Sequence, residues 1–132
     1  MGRAIRTEAD ATASESEHAE RTCASCGRRM PSSAAPETKW CSRACRKHGV
    51  DETDRALEQR IDELLAARAR TSSICPSEVA RSIDADDWRP LMEPARRAAR
   101  RMVARGEVEI TQHGSVVDPS TVKGPIRIRR PR

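Results

Sequence analysis

The sequence predicts a mainly α-helical domain with a small β element, an α+β fold, preceded by a segment that has almost nothing to bury. Of the 18 Leu, Ile, Val and Phe residues in this chain of 132, 16 lie between Thr53 and Ile128. Within that region the apolar residues recur first at helical spacing and later at the alternating spacing of strands. Residues 51–132 are therefore predicted to form the main domain, because only they can supply a core.

The first helix of this domain is predicted to begin at a cap formed by Thr53 or Asp54. Its apolar residues fall on one face, and they are Leu57, Ile61, Leu64 and Leu65, followed by the stem of Arg68. The run TSSI, Thr71–Ile74, then predicts a short strand.

The second helix is predicted from the run CPSE. Cys75 stands at the N-cap, Pro76 at the first helical position, and Glu78 completes the spacing of a capping box. The helix is expected to end near Asp84. Its inner face is formed by Val79, Ala80 and Ile83.

The third helix is predicted to begin near Trp88 or Pro90, or as late as Met92 because Pro94 lies in its first turns. It is expected to end at Gly106, and Trp88 is expected to anchor it to the core. One arc of the helix is apolar, with Leu91, Ala95, Ala98, Ala99, Met102 and Val103. The other arc is basic, with Arg96, Arg97, Arg100, Arg101 and Arg105.

The end of the domain has the pattern of antiparallel strands. In EVEITQHGSVVD, Val108 and Ile110 alternate with polar residues and His113-Gly114 forms the turn of a hairpin. The run PIRIRR predicts a last strand with isoleucines inward and arginines outward, namely Ile126, Ile128, Arg127 and Arg129. Three helices, a short strand and a terminal hairpin predict a winged helix-turn-helix domain, in which the hairpin is the β wing.

Four of the five cysteines lie in the segment CASCGRRMPSSAAPETKWCSRAC, with the spacing C-x2-C-x14-C-x3-C. Two thiolates two residues apart can hold one tetrahedral ion, and a distant second pair completes its coordination shell. The predicted ligands are Cys23, Cys26, Cys41 and Cys45. Residues 21–50 are therefore predicted to be a small treble-clef or zinc-ribbon-like module, in which structural Zn²⁺ replaces an apolar core.

Other uses of the same cysteines stay open from the sequence. His48 lies three residues past Cys45 and could replace it as a ligand. The segment could also hold two disulfides or four free thiols, although a reducing cytoplasm favours ligands over disulfides. With four sulfur ligands no coordination position is left for a substrate, so we do not expect catalysis at the metal.

The formal charge of +5 is unevenly distributed along the chain. Residues 21–50 sum to +6 and residues 88–132 to +7, against −3 for residues 1–20 and −5 for residues 51–87. Such basic segments favour a polyanionic partner. Residues 1–20, rich in Ala, Thr, Ser and Glu, are predicted to be a disordered tail.

Several classes of protein are disfavoured. The apolar runs are too short for a signal sequence or a membrane span, so we expect a cytoplasmic protein without a membrane partner. No histidine has a convincing nucleophile or carboxylate partner, and no phosphate-cradling glycine loop is present. We therefore expect neither an enzyme nor a small-molecule substrate.

Two resemblances accompany this interpretation. The stretches ICPSEVAR, DWRPLM, EITQHGSVVDP and KGPIRIR, between about Ala56 and Arg129, resemble a bacterial winged-helix family of unknown function, numbered 3253 in its class. The cysteine segment is similar to a second small uncharacterised family, numbered 2256, whose middle is usually richer in tryptophan and basic residues than MPSSAAPETKW. Neither resemblance implies a biochemical activity.

The function that the sequence favours is binding of nucleic acid, DNA over RNA. In a winged helix the third helix normally enters the major groove while the wing contacts the backbone. The predicted contacts are Arg96, Arg97, Arg100, Arg101 and Arg105 from the helix and His113, Lys123, Arg127 and Arg129 from the wing side. The alternatives are a protein-interaction adaptor and, less favoured, a thiol or zinc redox sensor that uses Cys75.

Overall fold

A computed structural model describes residues 21–132, and the predicted disordered tail, residues 1–20, lies outside the described residues. The fold is α+β, as predicted, with four α-helices and one small antiparallel sheet in the described part of the chain. None of these helices has both the length and the apolar character needed to cross a membrane. The elements in chain order are α1 (Arg43–His48), α2 (Glu52–Ala66), β1 (Ser73–Ile74), α3 (Pro76–Ile83), a 3-10 turn (Arg89–Leu91), α4 (Met92–Ala104), β2 (Glu109–Gln112), β3 (Ser115–Val116) and β4 (Arg127–Arg129).

The sheet has the strand order β1-β4-β2-β3, with antiparallel pairing throughout. Ile128 of β4 lies opposite Ile74 of β1 on one side and Ile110 of β2 on the other, so three β-branched side chains share one face. The predicted hairpin of β2 and β3 is confirmed. Its turn residues, His113 (φ 53°) and Gly114 (φ 83°), both have the left-handed conformation that a tight two-residue turn requires.

The core lies where α2, α3 and α4 pack against this face of the sheet. α4 contributes mainly alanines, whose small side chains let its backbone approach the neighbouring elements closely. The buried apolar residues are Leu57, Ile61, Leu65, Ile74, Val79, Ala95, Ala98, Ala99, Met102, Val108, Ile110, Ile126 and Ile128. The apolar faces predicted for the three helices and for the strand of Ile126 and Ile128 are thereby confirmed, except that Leu91 lies in the 3-10 turn and outside this cluster.

α2 begins earlier than the sequence predicts. Its N-cap is Asp51, and the expectation of Thr53 or Asp54 as the cap is wrong. Asp51 Oδ1 accepts a hydrogen bond from the Asp54 N–H at 2.8 Å, and Asp54 Oδ2 accepts one from the Asp51 N–H at 3.0 Å. Asp54 is therefore the third helical residue of a reciprocal capping box, a role in which aspartate replaces the usual Glu or Gln.

The predicted bounds of α3 and α4 agree with the structure. Cys75 caps α3, and its N–H donates to Glu78 Oε1 at 3.1 Å. α4 begins at Met92, the latest of its predicted starts, and the chain leaves it through Gly106 (φ 78°).

The position of Trp88 differs from the prediction that it anchors the third helix to the core. It is half-buried beside the guanidinium groups of Arg81 and Arg89, which lie 4.3 and 4.8 Å from its ring centroid. The tryptophan is outside the core cluster because these arginines cover it instead.

Candidate metal centre and its docking on α4

The four predicted cysteines converge on one point. Their Sγ atoms all lie within 4.8 Å of one another, and Cys41 Sγ is 3.6 Å from Cys26 Sγ and 3.5 Å from Cys45 Sγ. Zn–S bonds of about 2.3 Å in a tetrahedron would separate the sulfurs by about 3.8 Å, so the spacing fits a tetrahedral ion. The predicted four-cysteine cluster is confirmed, and its sulfurs are not joined as disulfides.

The local sequence explains how the chain brings the sulfurs together. Cys23 and Cys26 flank a tight turn, in which the Gly27 N–H donates to the Cys23 carbonyl at 2.9 Å. Cys41 lies two residues before α1 begins, and Cys45 lies in the first turn of that helix. The intervening Ser42 is the N-cap of α1, and its Oγ accepts from the Cys45 N–H at 3.1 Å.

His48 is directed away from the sulfurs. Its Nε2 lies 2.9 Å from Asp54 Oδ2, a carboxylate oxygen that is buried at the start of α2. The alternative in which His48 replaces Cys45 as a ligand therefore has no support in this geometry. The histidine instead joins α1 to the capping box of α2.

The surroundings of the cysteine cluster shift the pKa values of its thiols. Burial, together with the neighbouring thiols of Cys45, Cys26 and Cys23, raises the pKa of Cys41 to about 12. Burial also acts to raise the pKa of Cys23, but hydrogen bonds from the backbone of Cys26, Cys41 and Ser25 outweigh it and lower that pKa to about 6. Four sulfurs this close cannot all be thiolates on their own, and a divalent cation supplies the charge that makes this state favourable.

The module has very little apolar material around the sulfurs. The buried apolar residues of the module are Cys23, Cys26, Met30 and Cys45. Trp40 packs against them and is only partly buried. Such a cluster buries too little surface to hold a loop of this length in place. The module therefore depends on the elements it packs against, and an ion held by the four sulfurs would add to its stability.

The module packs against the basic face of α4. Arg100 Nε donates to the Cys26 carbonyl at 2.6 Å, and Arg101 Nη1 donates to the Ser25 carbonyl at 2.7 Å. Arg97 Nη2 donates to Ser25 Oγ and lies 4.0 Å from the Sγ of Cys45. Three arginines of one helix thus hold the turn that carries the first two cysteines.

Gly27 makes this close approach possible. Its φ of 78° is in the left-handed region, and a Cβ at this position would lie 2.5 Å from Arg100 Cβ and 2.6 Å from the Arg101 backbone nitrogen. Both distances are shorter than side chains tolerate, so only glycine fits between the turn and the backbone of α4.

The five helix arginines therefore do not form one exposed face, although joint contacts of all five with nucleic acid would require one. Arg100 and Arg101 are only 4% and 5% exposed, and Ser25 beneath them is fully buried. Periodicity shows that the arginines share an arc of α4, but it carries no information about a distant segment that covers that arc.

The two buried guanidinium groups are compensated within the chain. Arg100 Nη2 lies 3.0 Å from Glu93 Oε2, although burial still lowers the pKa of Arg100. Arg101 Nε lies 2.5 Å from Glu58 Oε2, and its Nη2 donates to the Asp54 carbonyl at 3.2 Å. Buried arginines need such partners because an unpaired buried charge is strongly destabilising.

The remaining predicted nucleic-acid contacts fall into two groups. Four of these side chains bind groups of the main domain: Arg96 the Gly124 carbonyl, Arg105 the carboxylates of Glu58 and Glu107, Arg127 the Ser73 oxygens, and Arg129 the carboxylate of Glu109. His113 and Lys123 are exposed, and their side chains have no hydrogen bond or ion pair within residues 21–132. Their role in binding stays a prediction.

A different set of basic side chains is exposed on the cysteine module. Arg29 of the module pairs with Asp118 at 2.9 Å, which gives the module a second contact with the main domain. Five others are exposed without an ion pair or side-chain hydrogen bond to any described residue, and they are Arg28, Lys39, Arg43, Arg46 and Lys47. The +6 charge of residues 21–50 is the sequence signal for this surface.

The described chain is thus an α+β protein with a four-cysteine cluster suited to a metal ion. Residues 54–131 match the model of a protein family described as Protein of unknown function (DUF3253), and because this is more than half of the chain, the chain belongs to that family. The match begins after the cysteine cluster. Among curated proteins, none matches this chain.

The close approach at Gly27 predicts unequal effects of two glycine substitutions. Gly106 has the same φ of 78°, but a Cβ there would meet nothing within 4 Å. Gly106→Ala should therefore lose only the free energy needed to hold alanine in the left-handed conformation, about 1 kcal/mol of unfolding free energy. Gly27→Ala should lose that and about 1–3 kcal/mol more, because the added methyl group overlaps α4. Denaturant unfolding of the metal-loaded proteins measures both free-energy losses. Equal losses would contradict the close contact of Gly27 with α4.

Proposed function

We propose that this protein is a winged helix-turn-helix protein with a structural zinc module. We further propose that it binds the phosphate backbone of nucleic acid. The observation that carries the proposal is the set of exposed basic side chains on the cysteine module, which have no compensating partner within the described residues. Surfaces of this kind attract polyanions, and arginine and lysine side chains are the usual partners of phosphate.

The order and pairing of the elements support the winged helix. Helix, short strand, two helices and a hairpin follow one another, and β4 pairs between β1 and β2. In the usual arrangement the third helix of such a domain enters the major groove. Here the module lies over the arginines at the centre of that helix. We therefore assign the main phosphate contacts to the module and not to α4.

The wing can extend this surface. The loop after β3 touches the module, because Asp118 pairs with Arg29 and Ser120 Oγ accepts from the Arg29 N–H at 2.8 Å. Lys123 follows in the same loop, and Gln112, next to His113, donates to the Lys123 carbonyl at 2.6 Å. Lys123 and His113 are thus the two predicted contacts that we retain as additional binding residues.

Zinc is the ion that we propose for the four cysteines. A closed set of four thiolates at tetrahedral spacing is the ligand set of structural zinc, and it leaves no position for a substrate. The role of the ion is to fold the module and keep its basic surface in place. We propose no reaction at this site.

The zinc assignment predicts one ion per chain. Native mass spectrometry of the zinc-loaded protein should show one bound zinc, and Cys26→Ser and Cys45→Ser should each lose it or bind it far more weakly. Cys75→Ser is the matched control, because Cys75 lies outside the cluster, and it should retain the ion. If the control loses zinc as readily as the cluster variants, the ligand set is wrong.

The binding proposal predicts a charge-dependent effect at the module. With zinc-loaded protein and random-sequence DNA, Arg43→Ala combined with Arg46→Ala should lower affinity and reduce the log–log salt slope by about 2, since two phosphate contacts are lost. Arg60→Ala combined with Arg70→Ala removes the same charge from exposed residues of the main domain and should change the slope little. Fluorescence anisotropy over a salt series measures both.

Two outcomes would contradict this proposal. If neither this DNA nor a random-sequence single-stranded RNA binds at low salt, nucleic acid is excluded as the partner and the adaptor function becomes the better hypothesis. Equal losses in the two double variants would mean that the basic surface of the module has no special part in binding.

A further inference from the structure

We infer that the groove beside Trp40 binds an unpaired base of single-stranded nucleic acid, with the adjoining phosphates held by the basic side chains that line it. This inference rests on the proposed function and specifies the form of nucleic acid that the module recognises. It differs from the sequence-based expectation, in which α4 and the wing contact a duplex.

The groove is a defined feature of the module surface. It has a volume of about 530 Å³, within the range of about 300–1,000 Å³ that is common for ligand sites. It is open to solvent on one side, so a polymer can enter and leave it. Its lining residues are Glu37, Thr38, Lys39, Trp40, Ser42, Arg43 and Arg46.

Trp40 is held in a position suited to stacking. Trp40 packs against the cysteine cluster, is only partly buried, and is one of the residues that line the groove. The backbone next to it is fixed, because the Ala24 N–H donates to the Lys39 carbonyl at 2.8 Å. A partly exposed indole in such a groove can serve as a surface on which a base stacks.

Three cations surround this platform. Lys39, Arg43 and Arg46 line the groove and are exposed, and their side chains have no partner among residues 21–132. Arg43 and Arg46 are three residues apart on α1 and therefore project from the same side of the helix. Glu37 is the one acidic residue of the lining, so the groove has a net positive charge.

The combination favours a single strand over a duplex or an acidic peptide. In a duplex the faces of the bases are already stacked, whereas an unpaired base can turn its face to an aromatic side chain. An acidic peptide would satisfy the cations but has no planar group that must lie on Trp40. Trp88 offers no comparable platform, since two guanidinium groups already lie over its ring.

The absence of Tyr and Phe from the chain permits a direct test. In zinc-loaded Trp88→Leu protein, Trp40 is the one remaining aromatic fluorophore. Titration with a short mixed-sequence oligonucleotide should quench its emission in a saturable way, because the base stacks on the indole. The same oligonucleotide annealed to its complement should quench it much less.

Affinity is measured in parallel by anisotropy of the labelled oligonucleotide. Trp40→Leu keeps an apolar side chain against the cysteine cluster but removes the stacking surface, so its affinity for the single strand should fall about tenfold. Its affinity for the duplex should stay within about twofold of wild type, as should both affinities of the Trp88→Leu control. A zinc content of one ion per chain confirms that the module of each variant is intact, and circular dichroism confirms that the helices of the main domain are retained.

The outcomes separate this inference from the proposed function. Binding of single strand and duplex with equal affinity and without quenching would overturn the inference but leave backbone binding by the module in place. Failure to bind either form would overturn both. If polyglutamate quenches Trp40 and competes as effectively as the oligonucleotide, the groove recognises anionic chains in general and the assignment to a base is wrong.

Discussion

The contact on which the rest of this structure depends is the one between the turn Ser25–Gly27 and the arginines of α4. The turn supplies carbonyl oxygens, and Arg100 and Arg101 donate to them from a helix whose other face is in the core. Gly27 allows the two backbones to meet at this distance. The cysteine cluster has almost no apolar core of its own, so its position depends on this contact and, under our proposal, on a zinc ion held by its sulfurs.

The same contact determines which positive charges remain for a partner. A tetrathiolate zinc site has a net negative charge, and Arg97, which lies 4.0 Å from Cys45 Sγ, would compensate part of that charge in the zinc-bound protein that we propose. Most other arginines of the main domain bind carboxylates or carbonyls within it. Five basic side chains of the short module have no partner among the described residues, and three of them line the groove beside Trp40, so we assign binding to the module.

Features set by local sequence were predictable, and features set by long-range packing were not. The capping box of Cys75 and the turn at His113-Gly114 each depend on residues that are close together in the sequence. The convergence of the four cysteines follows from a spacing that suits tetrahedral coordination. The burial of Arg100 and Arg101 depends on a turn more than 70 residues away, and no periodicity within α4 encodes it. The cap at Asp51 was missed because Asp54 forms its capping box with a shorter side chain than usual.

The claim that α4 supports the metal centre is tested most directly by zinc affinity in two neighbouring variants. Arg97 contacts Ser25 and lies beside Cys45, whereas the adjacent Arg96 binds the Gly124 carbonyl away from the cluster. Competition with a chromophoric chelator should show zinc bound about tenfold more weakly by Arg97→Ala, as is typical when a group supporting a metal ligand is removed. Arg96→Ala should bind zinc as wild type does. Equal affinities in all three proteins would contradict the account, because the helix and the metal centre would then be independent.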